Sequence, residues 1–107
     1  MDDEALRVEV THADGITVVT VTGEIDADSM LALQAPLSDL SPESQVVLDM
    51  SGVRFMDSSG LKVILTQRIR MIERGGSIHI RHASPPVQRV VHVSGLTDIL
   101  RESDTPQ

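Results

Sequence analysis

The residues with the most chemistry to offer are Asp57, Ser58 and Ser59, three short polar side chains in a row, followed by Gly60. They lie in the turn Val53-Arg54-Phe55-Met56-Asp57-Ser58-Ser59-Gly60, which joins an apolar run to a long helical pattern. In sheets built from parallel strands, ligands and partners bind where strand carboxyl ends meet helix amino ends, so this turn is the place to look. Two uses of the side chains are open. As an N-cap, Asp or Ser accepts a hydrogen bond from an unpaired first-turn N–H and contributes about 1 kcal/mol. As a phosphate acceptor, a serine hydroxyl at a helix amino end can carry about −1.5 to −2 charges, which the positive end of the helix dipole and its free N–H groups tolerate. Such a modification would disturb the fold little, yet set new negative charge beside Asp57 against any surface docked there. Asp57 either caps the helix only or also orients the Ser58 hydroxyl. Ser59 is a weaker acceptor candidate, and Gly60 is either a point of close backbone approach or a tolerated glycine.

A hydrolytic reading of the same serine fails. No Gly-x-Ser-x-Gly elbow surrounds Ser58, and none of His12, His79, His82 and His92 can be assigned as its base. His79 and His82, three apart around a strand end, should point to opposite faces, so no metal site is expected. Gly75-Gly76 lacks the lysine and spacing of a phosphate-binding loop. With no cysteine in 107 residues, thiol nucleophiles, cysteine zinc sites and iron–sulfur clusters are excluded, and no cofactor is implied. A formal charge of −7, no Trp, no Tyr and one Phe leave neither the basic surface nor the stacking platforms that nucleic acid needs. No stretch approaches the roughly 18 apolar residues of a membrane span, and Met1-Asp2-Asp3-Glu4 has the wrong charge for a secretory signal, so a soluble cytoplasmic protein is expected.

The elements that must position the turn follow from periodicity. Leu6–Val10 alternates, Ile16–Val21 is rich in β-branched residues, and Ala13-Asp14-Gly15 between them is turn chemistry, which predicts a β-hairpin. Polar Asp26, Asp28 and Ser29 precede a helix reaching Leu40, kinked or broken near Ala35 by Pro36. Gln45–Met50 reads as a central strand, Ser59–Arg74 as a helix closed by Gly75-Gly76, Ser77–Arg81 as an alternating strand, and Pro85–Val93 as a short helix. On the long helix, at about 100° per residue, Leu61, Ile64, Leu65, Ile69, Met71 and Ile72 form one stripe. Lys62, Thr66, Gln67, Arg70 and Glu73 lie opposite, and Val63 projects about 200° from Leu61, making it an exposed candidate for partner contact. Two βα alternations after a hairpin predict an α/β fold: a mixed, mainly parallel sheet with three to four helices packed on it. A chain of this length can bury about two thirds of its unfolded surface, so residues 1–107 are expected to form one domain, with an ordered core over roughly residues 5–100 and a polar, frayed tail at 101–107.

The run from Phe55 to Leu61, the upstream Thr22-Gly23-Glu24-Ile25-Asp26, the helix end Gly75-Gly76 and the late Ser94-Gly95-Leu96 together resemble the STAS domain of bacterial anti-sigma-factor antagonists, from about Leu6 to Leu100. The resemblance implies a STAS fold and a partner switch, not an enzyme. The unphosphorylated antagonist binds an anti-sigma factor that is also a serine kinase of the GHKL ATPase type, which frees a sigma factor of the kind that governs stress response or sporulation. The kinase inactivates the antagonist at the serine after the motif aspartate, here Ser58, and a PP2C-type phosphatase reverses it. A monomer or weak homodimer is expected. The contact surface is predicted from Glu24, Asp26, Met56, Asp57, Ser58, Ser59, Gly60, Lys62 and Val63. Lys62 departs from the small residue many members carry there, and Arg68, inside the apolar stripe, is expected to snorkel from its edge. With no Tyr or Trp to anchor it, the contact would rest on Val63, Met56, backbone groups and charge. The alternative is a STAS subunit of a lipid-transport or stress-sensing assembly with no phospho-switch.

Overall fold

The computed structural model describes residues 6–100, and the tail at 101–107 lies outside them. The elements are β1 (Leu6–Ala13), β2 (Ile16–Ile25), α1 (Met30–Ser38), β3 (Gln45–Met56), α2 (Ser58–Ile72), β4 (Ser77–Arg81), α3 (Pro85–Val93) and a 3-10 turn over Thr97–Ile99. The strands form one sheet in the order β1-β2-β3-β4, with β1 antiparallel to β2 and the other neighbours parallel. This is the expected α/β architecture, a mainly parallel sheet with an N-terminal hairpin and three α-helices. The hairpin closes on Asp14 and Gly15, both with positive φ (52° and 79°), the conformation whose twist matches the flanking strands.

One face of the sheet carries the core. Val19, Val21 and Ile25 of β2, Val46, Leu48 and Met50 of β3, and Ile78 and Ile80 of β4 are buried in one cluster with Leu33 and Leu37 of α1, Ile64 and Met71 of α2, and Val87 and Val91 of α3. The other face presents Arg7, Glu9, Thr20, Thr22 and Asp49, none of them buried. All helices therefore sit on one side, as right-handed crossovers between successive parallel neighbours require. Among the described residues no helix is long and apolar enough to cross a membrane.

Three expectations are corrected. The first helix begins at Met30, directly after the polar residues, but ends at Ser38 rather than Leu40 and runs through Pro36 without a break. Asp26 shapes a turn, its Oδ1 accepting the backbone N–H groups of Asp28 and Ser29, both at 3.0 Å. The central strand continues six residues past Met50 to Met56. It does so through two register shifts against β2, each leaving one extra residue in β3. Such bulges break the alternation that marks a strand in sequence. Gly52 serves this passage, since a Cβ there would lie 2.6 Å from Thr22 Cγ2 on the neighbouring strand.

The third correction is the rotation of α2. Its buried side is Gly60, Leu61, Val63, Ile64, Gln67 and Met71, whereas Ile69 and Ile72 stand 62% and 57% exposed. The buried arc is turned toward Val63 and Gln67 because polar residues on that side find partners on α1. Gln67 Nε2 donates to Ser38 Oγ at 3.1 Å and its Oε1 accepts from Arg70 Nε at 2.9 Å. Arg70 Nη2 donates to the carbonyls of Leu37 (3.0 Å) and Leu40 (3.1 Å) at the end of α1, where Leu37 O also accepts the N–H of Leu40 at 3.2 Å. Arg68, expected at the edge of the stripe, does stand half-buried and reaches out to Asp98 at 3.2 Å.

Candidate functional site

The turn at the end of β3 is a single residue long. Asp57, in extended backbone (φ −111°, ψ −171°), separates Met56 from the first residue of α2, Ser58. Its N–H donates to Ile25 O at 3.2 Å, which fastens the turn to the end of β2. Its Oδ1 accepts the N–H of Ser59 at 2.9 Å, the N-cap bond that one orphan donor of a helix start requires. Of the two roles open to Asp57, capping is the one the geometry carries; among the described residues no hydrogen bond joins it to the Ser58 hydroxyl.

Ser58 is exposed and Ser59 half-buried, so the two hydroxyls are not equivalent. Ser58 stands at the first helical position, where the macrodipole is positive and backbone N–H groups are free. Lys62, also exposed, follows it by one helical turn on the same face. Glu24, at the end of β2, is exposed and lies 3.7 Å from Arg54, a solvent-facing pair that fixes little.

Gly60 is buried beneath this turn. A Cβ there would lie 2.6 Å from Ile25 Cγ2 and 2.9 Å from Met56 Cγ, so the glycine admits two strand-end side chains to the helix start rather than another backbone. Met56 and Val63, both predicted as contact residues, are only 3% and 7% exposed. Met56 is packed under the first turn of α2, and Val63 lies at the floor of a groove of about 250 Å³ between α1 and α2, lined also by Met30, Gln34, Ser59, Lys62, Thr66 and Gln67. Asp26 is half-buried and committed to its turn, where Ser29 Oγ lies within 3.1 Å of its Oδ1 and accepts its N–H at 3.0 Å. The structure thus sets Asp57, Ser58, Ser59 and Lys62 together at the start of α2, leaves Glu24 at the neighbouring strand end on the open face with Thr20 and Thr22, and buries Met56, Gly60 and Val63.

Phe55 was missed as a surface group. It pairs in register with Glu24 and is 46% exposed beside the turn. A lone phenylalanine in a chain otherwise without aromatic side chains, set in a polar turn, was the signal available.

Comparison with known proteins places this geometry. The family model described as Mlab, STAS domain matches residues 8–102. An anti-sigma F factor antagonist of Paenibacillus polymyxa is 32% identical over 98 residues, covering 89% of this chain and 84% of that protein. The crystal structure of an anti-sigma factor antagonist from Mycobacterium paratuberculosis superposes with a TM-score of 0.78 at 27% identity, over 97% of this chain and 93% of that one. The Bacillus cell fate determinant SpoIIAA in its phosphorylated form shares the fold, with a TM-score of 0.68 at 20% identity over 89% of each chain. By the extent of the family match and the identity to the Paenibacillus protein, this chain belongs to the STAS-domain family of anti-sigma factor antagonists.

Proposed function

We propose that this protein works in the cytoplasm as an anti-sigma factor antagonist whose unphosphorylated form binds an anti-sigma factor serine kinase of the GHKL ATPase type, and that phosphate on Ser58 ends the complex. The observation that carries the reading is the position of Ser58: an exposed hydroxyl at the first position of α2, on a turn already capped by Asp57 and therefore ordered before any partner arrives. The relatives named as antagonists support the partner class, and a structural neighbour known in a phosphorylated form supports the modification.

The switch follows from charge. A phosphoserine adds about −1.5 to −2 charges at neutral pH. In the free protein the helix amino end and the nearby Lys62 accommodate it. In the complex it faces a docked surface beside Asp57 and Glu24, where like charges repel and the phosphate must shed water. Each 1.4 kcal/mol of that cost weakens binding about tenfold. The contact surface on this reading is Glu24, Phe55, Asp57, Ser58, Ser59 and Lys62, and a PP2C-type phosphatase restores the binding form.

The test is phosphorylation by the cognate kinase with ATP, followed by intact-mass and peptide-mapping spectrometry. One phosphate on Ser58 is expected; Ser58→Ala should still bind the kinase and Ser58→Asp should bind poorly. Phosphate on another residue, or none with an active kinase shown to bind, would overturn the assignment. The second outcome would favour a STAS subunit of a larger complex without a phospho-switch, a reading that the Mlab description of the matching family keeps in view.

A further inference from the structure

The two edges of the sheet are unequal. β4 is five residues long, and its Ile80 is bridged by Leu100 on the outer side. β1 is eight residues long and forms the opposite edge, with β2 as its neighbour in the sheet. An edge strand offers a row of backbone N–H and C=O groups to another strand, and natural proteins commonly blunt it with charged side chains, proline or a bulge. β1 carries no proline, pairs with β2 without a register shift, and bears two charges of opposite sign, Arg7 and Glu9. Both point to the open face, beside Thr22 and Thr20, and form a mostly exposed pair at 3.2 Å.

We propose that β1 pairs antiparallel with β1 of a second copy about a two-fold axis at Val8, giving a weak dimer with a continuous eight-stranded sheet. The register follows from symmetry. In an antiparallel pair the residues whose hydrogen-bonding groups point outward alternate, so about a two-fold axis the numbers of facing residues add to an even constant. A sum of 14 sets Arg7 against Arg7, and a sum of 18 sets Glu9 against Glu9; like charges directly opposite are destabilising. A sum of 20 faces Arg7 with Ala13 and Glu9 with Thr11, which avoids repulsion but gains no attraction. A sum of 16 sets Arg7 against Glu9 of the second copy twice, and on the helix-bearing face sets Val8 against Val8 and Leu6 against Val10. That register alone uses both charges, and it covers Val10, an exposed apolar residue at the edge of the core face. Five residues per chain make a contact well below the area of a stable interface, so the dimer is reversible.

Sedimentation velocity at low salt, with NMR chemical shifts followed on dilution from about 1 mM, tests the pairing. Concentration-dependent shifts confined to Leu6–Val10 and their neighbours on β2 are expected. Arg7→Glu, which turns two attractive pairs into two repulsive ones, should raise the dissociation constant at least about tenfold, and Arg7→Glu with Glu9→Arg should return it to within about threefold of the original. Circular dichroism of each variant separates a lost contact from a lost fold. A protein that stays monomeric at about 1 mM, shifts that map away from β1, or a double exchange that fails to restore association would overturn the proposal. None of these readouts involves Ser58.

Discussion

Replacing Arg70 by methionine removes the guanidinium that ties α2 to the end of α1 while keeping most of the apolar stem. Three hydrogen bonds go: Nε to Gln67 Oε1 at 2.9 Å, and Nη2 to the carbonyls of Leu37 and Leu40 at 3.0 and 3.1 Å. Hydrogen bonds from charged donors contribute about 1.5–3 kcal/mol each, but these are not additive: Leu37 O keeps its bond from Leu40 N–H, and water can reach the half-buried Leu40 and replace part of what is lost. Gln67 is buried and has no such recourse for its Oε1. The expected loss is therefore about 2–3 kcal/mol in all, well below the simple sum over three bonds. In a domain of this size that is a fall in melting temperature of roughly 8–15 °C, read by thermal denaturation. In urea it appears as a lower midpoint with an unchanged slope. Arg70→Lys, whose ammonium can reach only some of the three acceptors, should lose roughly half as much. Combining Arg70→Met with Gln67→Leu should show a coupling of at least about 0.5 kcal/mol, because the second change removes the acceptor the first had orphaned. A methionine variant within about 0.5 kcal/mol of the original protein, or a lysine variant indistinguishable from it, would refute the assignment of Arg70 as the tie between α2 and the end of α1.

Three further outcomes follow from the same structure. Gly76→Ala places a Cβ 2.2 Å from Pro42 O and 2.6 Å from Ser44 O, backbone atoms that cannot yield without straining the bond from Ser77 N to Ser44 O at 3.0 Å, so unfolding in urea should show a loss of at least about 2 kcal/mol. Asp57→Ala removes the cap of α2 and should cost about 1 kcal/mol in the same assay, whereas Asp57→Asn, whose carbonyl still accepts from Ser59 N, should cost less than half of that. Once Ser58 is phosphorylated, the ammonium of Lys62 one turn on should favour the dianion: Lys62→Met is expected to raise the second phosphate pKa, followed by phosphorus NMR, by about 0.2–0.4 units, the equivalent of 0.3–0.5 kcal/mol. No change would mean that the two side chains do not meet.

By itself the sequence determined every feature whose cause is local. Asp14-Gly15 closes the hairpin because only a short polar residue and a glycine readily take positive φ in succession. Asp57 starts α2 because a carboxylate before the first turn can accept a first-turn N–H, and the same placement puts the Ser58 hydroxyl at the rim. The tertiary structure alone decided which face of α2 is buried and which rim residues a partner can touch. Periodicity on α2 offers two overlapping apolar arcs, one through Leu65, Ile69 and Ile72 and one through Val63, Ile64 and Met71. The choice between them lies with Gly60 fitting under Ile25 and Met56, and with Gln67 and Arg70 meeting Ser38, Leu37 and Leu40, groups about thirty positions away in the chain that no local pattern encodes. The same long-range matching buried Met56 and Val63 and left Phe55 exposed: two bulges in β3, set by its register with β2, fix where the strand's last side chains point.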